Sequence, residues 1–191
     1  MDGLKGWHSR GYLPHFDGGE SYQFITFRLY DSVPKDMIIN WKDELAITNK
    51  TEKNSLEYIK LNDRISKYED NGYGACFLLN NDVAKVVEDA LKFYENKKYD
   101  LVEWVIMPNH VHVLIKVHND ISLTKIVHSW KSFTANKANE ILGRKGKFWM
   151  EDYFDRYIRN DEHFYATVKY IQENGRTENA AGNADIPVRK Y

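Results

Sequence analysis

The run Met107-Pro108-Asn109-His110-Val111-His112-Val113-Leu114-Ile115-Lys116 constrains this chain more than any other segment. Its β-branched residues favour a strand, and strand side chains alternate between faces. His110 and His112 therefore share one face, while Val111, Val113 and Ile115 take the other and point to a core. Two adjacent imidazoles can share a divalent cation through bonds of roughly 2.0–2.2 Å. The plainer alternative is a pair of ordinary sheet histidines. Context favours the metal. Pro108-Asn109 is a turn signal, and Trp104-Val105-Ile106-Met107 before it reads as another strand. The pair thus opens a strand after a tight hairpin, where substrate can reach it.

The chain has 191 residues, enough for one domain with a sizeable core. No apolar run is long enough to span a membrane, and the first residues lack the apolar stretch of a signal peptide. A single cysteine, Cys76, excludes an internal disulfide and fits a reducing, cytoplasmic setting. Its apolar surroundings, Gly74 to Leu79, suggest a small buried residue rather than a nucleophile. The net charge of −1 says little, but its distribution is uneven. Residues 123–149 hold six basic side chains (Lys125, Lys131, Lys137, Arg144, Lys145, Lys147) against Glu140 alone. Trp130, Phe133, Phe148 and Trp149 interleave with them. Such a mixture suits a polyanion, although a solvated helix face also carries lysines.

Residues 1–20, with five glycines, read as an arm; 21–174 form the domain, and 175–191 a flexible polar tail. Tyr22 to Leu29 alternates as a strand. A helix starts near Pro34, with a break near Thr48-Asn49-Lys50 before helical spacing resumes at Leu56. Asn71-Gly72-Tyr73-Gly74 is a loop. Asn81 or Asp82 caps the next helix. Strands follow at about 99–107 and 110–117, a helix from Ile121-Ser122 to about Leu142, a basic loop at 143–147, a short strand at 154–158 and a helix at about 161–174. The order β-α-α-β-β-α-β-α contains the split βαβ pattern. It predicts an α+β, ferredoxin-like antiparallel sheet with helices packed mainly on one face.

In the last helix Phe164, Val168 and Ile171 make the buried stripe. His163, Tyr170 and Asn174 return to another side at spacings of seven and four. A phenol and an amide oxygen one turn apart can act as nucleophile and metal ligand. Spacing alone does not choose among the nearby tyrosines Tyr153, Tyr157, Tyr165 and Tyr191.

Together, Met107–Leu114, Trp149, Tyr153-Phe154-Asp155-Arg156-Tyr157-Ile158-Arg159 and Tyr170-Ile171-x-x-Asn174 resemble the single-tyrosine HUH transposases. The closest branch is the IS200-like transposases associated with repetitive extragenic palindromes (REP). The likeness runs from Arg10-Gly11-Tyr12-Leu13-Pro14-His15-Phe16 through Asn174. It implies that His110 and His112 bind a divalent cation, that Tyr170 is the nucleophile and that Asn174 completes the metal site. In that chemistry the tyrosine attacks a DNA phosphodiester, leaving a 5′-phosphotyrosine and a free 3′-hydroxyl, so a later strand can be joined without ATP. Two imidazoles and an amide oxygen suit Mn²⁺ and tolerate Mg²⁺. His163 is a possible neighbour to help ionise the phenol. The resemblance implies a single-stranded or hairpin DNA partner, and a monomer or a homodimer that exchanges the tyrosine helix. Arg10, Tyr12, Lys125, Trp130, Lys131, Arg144, Lys147 and Trp149 are the candidate DNA contacts. The chain departs from the family in having Gly175 where members carry a proline. Two rivals stand beside this reading: a non-catalytic hairpin-binding module, and a metal phosphoesterase that uses activated water.

Overall fold

A computed structural model describes residues 6–9, 14–17, 21–52 and 55–176. Strands β3 (Ser21–Arg28), β4 (Tyr99–Ile106), β5 (His110–Val117) and β6 (Phe154–Tyr157) form one sheet in the order β4-β5-β3-β6. Every neighbouring pair is antiparallel. The first strand of this sheet lies inside, between the third and the fourth, as the split βαβ pattern requires. The architecture is α+β.

The described residues also form five α-helices: α1 (Lys35–Glu44), α2 (Leu56–Asp70), α3 (Asn81–Lys92), α4 (Leu123–Ile141) and α5 (Asp161–Gly175). Helices α3 and α4 cover the face bearing Ile25, Phe27, Val111, Val113, Ile115 and Val117. Helix α5 lies on the opposite face, where Ile171 meets Val105, Met107, Leu114 and Ile158. Helices α3 and α4 thus share one face, while α5 and the end of α2, through Glu69 and Asp70, reach the other. The helical stretch after Pro34 separates into α1 and α2 around the expected break. There the Thr51 hydroxyl accepts from the Thr48 amide and offers the backbone a turn in place of a helical bond. Ser55 then caps α2.

Two segments of the arm are strands. Strands β1 (Gly6–Ser9) and β2 (Pro14–Asp17) pair antiparallel as a small separate sheet. Arg10 and Tyr12 fall outside the described residues, as does the tail from residue 177. Cys76 is half-buried rather than buried, with φ of 48°, and its thiol donates to the Gly72 carbonyl at 3.0 Å.

Two details aim the site face. A bulge between Leu101 and Glu103 in β4 lets the Glu103 carboxylate accept from the Gln172 amide at 3.0 Å, which ties α5 to the sheet. The loop after α2 is fitted just as closely. Gly74, at φ +96°, sits where a Cβ would come within 2.9 Å of the Asp31 carbonyl oxygen, so only glycine lets the loop pass this close to Asp31.

Candidate active site

The β4–β5 hairpin turns through Pro108-Asn109 and closes with the Met107 amide donating to the His110 carbonyl at 2.9 Å. His110 and His112 follow on the face that α5 covers, both fully buried. Their Nε2 atoms stand 2.9 Å apart. Each outer nitrogen has its own partner. His110 Nδ1 lies 2.7 Å from Asn109 Oδ1 and donates to it, which leaves a lone pair on Nε2. The Asn109 amide is itself fixed, donating to the Tyr73 carbonyl at 2.8 Å. His112 Nδ1 meets the Thr26 hydroxyl at 2.7 Å. A hydroxyl can accept as well as donate, so it serves the tautomer that frees Nε2 for a cation.

Burial holds both imidazoles neutral. The His110 value is pushed down to about 3, with the Arg28 guanidinium adding to the desolvation. The His112 value lies well below the ordinary range through burial and its neighbour His110. Neutral imidazole is the form that ligates a metal.

A third donor comes from the end of α2. Asp70 Oδ1 lies 3.5 Å from His110 Nε2, and the three residues offer ligand atoms within 4.8 Å of one another. That oxygen is buried and makes no hydrogen bond within the described residues. An orphaned carboxylate oxygen beside two imidazole lone pairs fits a divalent cation. The preceding residue anchors it. Glu69, buried, pairs with the guanidinium of Arg28 at 3.1 Å, and Arg28 is the cross-strand neighbour of His110. Burial pushes the Glu69 carboxyl up to about 7 against the pull of Arg28.

Tyr170 reaches this cluster from α5, its hydroxyl 3.3 Å from His112 Nε2. Phe24 holds the ring at a centroid distance of 6.0 Å and stacks on His112 at 5.4 Å. Burial and the carboxylates of Asp70 and Glu69 push the phenol up to about 12, while a hydrogen bond with Asn174 pulls the other way. The phenol is protonated at neutral pH in this setting. The other tyrosines that spacing left open lie elsewhere where they are described. Tyr165 is two-thirds exposed, Tyr157 lies on the opposite strand parity from Arg156, and Tyr153 faces Thr124.

The family model for IS200-like transposases matches residues 76–174, just over half of the chain. The chain belongs to the IS200-like transposase family. Membership makes it a DNA-cleaving enzyme, and the matched span carries His110, His112, Tyr170 and Asn174. No curated protein matches. Among solved structures, a REP-associated tyrosine transposase bound to a REP hairpin is 15% identical with a TM-score of 0.49, covering 87% of this chain and 70% of that one. A transposase of Deinococcus radiodurans is 14% identical with a TM-score of 0.40, covering 87% and 95%.

In this transposase part of the basic segment expected to hold DNA packs against the protein itself. Trp130 is buried and donates to the Tyr99 hydroxyl at 3.0 Å, and Trp149, also buried, donates to Thr134 at 2.8 Å. Both pack on Phe27, so neither ring has a face free to stack a base. The Arg144 guanidinium lies 4.5 Å over the Phe77 ring and donates to the Lys147 carbonyl. Lys131 is sunk between α4 and the following segment, donating to the carbonyls of Glu151 and Asp152. Lys147 pairs with Glu151 at 2.7 Å. Lys125 remains exposed. The interleaving of charge and aromatics that suggested a polyanion is the pattern of a helix packing its aromatics inward, with lysine stems along the boundary.

His163 does not join the cluster. It lies seven residues before Tyr170, about 10 Å along the helix, beside Arg156 and Arg159. Sequence reasoning missed Asp70, Glu69 and Arg28. Asp70 lies 40 residues from His110 with no local pattern linking them, and only the tertiary fold joins the two. Among the described residues no helix is long and apolar enough to cross a membrane.

Proposed function

We propose that this transposase is a metal-dependent single-strand DNA endonuclease and strand transferase that works through a 5′-phosphotyrosine intermediate, on a DNA hairpin with a single-stranded foot. One observation carries the reading: the Tyr170 hydroxyl lies 3.3 Å from His112 Nε2, at the edge of a preformed two-histidine, one-aspartate cluster. His110, His112 and Asp70 would hold the cation, Mg²⁺ or Mn²⁺, with the amide oxygen of Asn174 as a further ligand. Bound there, it would polarise the scissile phosphate and offset the carboxylate charge that adds to burial in raising the phenol.

The chain's own groups do the rest. Phe24 and the α5 packing hold the phenol oxygen in place, which favours in-line attack. The phenol loses its proton as its oxygen bonds to phosphorus. The P–O3′ bond breaks, and the 3′-hydroxyl leaves with a proton. Rejoining reverses these steps, so the bond energy is kept in the tyrosyl ester. Asn109 and Thr26 keep the imidazoles in the ligating tautomer throughout.

Incubating the protein with Mn²⁺ and a hairpin bearing a single-stranded foot should give a covalent protein–DNA adduct that resists denaturation. Tyr170→Phe should give none while binding DNA within a few-fold of wild type. An adduct with Tyr170→Phe would show that another residue is the nucleophile. Cleavage without any adduct would favour the water-using phosphoesterase, and binding without cleavage the hairpin-binding module.

A further inference from the structure

The motif Phe154-Asp155-Arg156-Tyr157-Ile158-Arg159 takes no part in the chemistry above, yet it runs along the site face. We propose that Phe154, Arg156, Arg159 and His163 form the track that carries the single-stranded DNA leading away from the scissile phosphate. This rests on the DNA-cleaving reading.

The sheet register places Phe154 and Arg156, while Arg159 lies between β6 and α5 and His163 in the first turn of α5. His112, Thr26 and Phe154 are consecutive partners across β5, β3 and β6; Leu114, Phe24 and Arg156 form the next row. Strands lie about 4.8 Å apart, so this row carries the surface about 10 Å sideways from the histidines. The rings between are continuous. Arg156 stands 5.4 Å over the Phe154 ring, Phe154 meets Phe24 at 6.5 Å, and Phe24 touches both His112 and Tyr170. A band of half-buried aromatic surface beginning at the nucleophile and ending under a guanidinium suits unstacked bases and their phosphates, and does not suit a closed duplex.

The charge is free to act. Arg156 and Arg159 are both exposed, and among the described residues neither is ion-paired. Their positive field also reaches His163, which burial first, and then these two cations, hold below its ordinary value. The contrast with Lys131 is direct, since its ammonium donates to the backbone carbonyls of Glu151 and Asp152.

The test is fluorescence anisotropy with a labelled, mixed-sequence single strand in EDTA, so that nothing is cleaved, over a series of salt concentrations. Arg156→Gln with Arg159→Gln should weaken binding about tenfold or more and flatten log K against log[salt] by about 1.4, roughly 0.7 per phosphate lost. Phe154→Leu should weaken binding by at least about fivefold with the slope unchanged. Arg156→Lys with Arg159→Lys should restore the wild-type slope, and Lys85→Gln with Lys97→Gln, on α3 and in the segment after it, should leave it unaltered. Calorimetry with Mn²⁺ should give the same metal affinity in all of them. A glutamine pair with wild-type affinity and slope overturns the track, and so does a glutamine pair that loses Mn²⁺ binding. If the wild type binds Mn²⁺ but no single strand, the DNA reading itself fails.

Discussion

Ile25, Phe27, Val111 and Val113 stand on one face of β3 and β5; Thr26, Arg28, His110 and His112 stand on the other, one residue along the same strands. Both sets are buried, Val111 and His110 alike at 0% exposure. What separates the faces is satisfaction. The apolar face needs only contact, and its stability follows area and fit. On the polar face each buried group needs a partner: Asn109 for His110, Thr26 for His112, Glu69 for Arg28. At its centre the partners run out among the described residues, where two Nε2 atoms confront each other and Asp70 Oδ1 has no hydrogen bond. Unmet hydrogen-bonding capacity in a buried place is costly unless a ligand meets it. The difference shows how a single alternating strand builds a core and a reactive centre at once.

Substitutions on the two faces should therefore have opposite signatures. The largest effect is expected from His110→Ala with His112→Ala. Mn²⁺ binding by calorimetry and cleavage should both vanish, while far-UV circular dichroism stays native; equal Mn²⁺ binding by variant and wild type would remove the metal site. Ile115→Ala on the apolar face should do the reverse, lowering unfolding stability by about 2–5 kcal/mol while Mn²⁺ affinity holds. If it also lost the metal, the two faces would not be separable. Asp70→Asn sharpens the contrast. It keeps shape and removes charge, and Mn²⁺ affinity should fall about tenfold or more with stability unchanged or raised, because a half-buried carboxylate has been neutralised. Unchanged affinity would leave Asp70 outside the ligand set.

The alternation of β5 announced both faces because period-two patterning is local, and the Pro108-Asn109 turn fixed where the strand begins. Helix spacing likewise placed Tyr170 and Asn174 on one side of α5. The Glu69-Asp70 step at the end of α2 carried no such signal, since its partners Arg28 and His110 are brought to it only by the fold of the sheet. Segment 123–149 misled for a related reason. Charge can be counted in a sequence, but whether a lysine faces water or a carbonyl cannot. Trp130 and Trp149 read as DNA contacts only while their inward orientation was unknown.

Lys131 gives the smallest effect but bears directly on that last point. Burial pushes its ammonium down to about 8 from an ordinary 10.5, with Asp152 and Glu151 pulling upward. At pH 7 the folded and unfolded chains both hold the proton, and stability has no slope from this group. Between about 8 and 10.5 the unfolded chain keeps a proton that the folded one has lost, so unfolding free energy rises with pH. From pH 8 to 10 the wild type should gain about 1–3 kcal/mol relative to Lys131→Met in denaturant titrations, since each unit of the window is worth about 1.4 kcal/mol at most. Parallel curves for the two proteins would mean that Lys131 is solvated, and would return it to the basic surface that the sequence suggested.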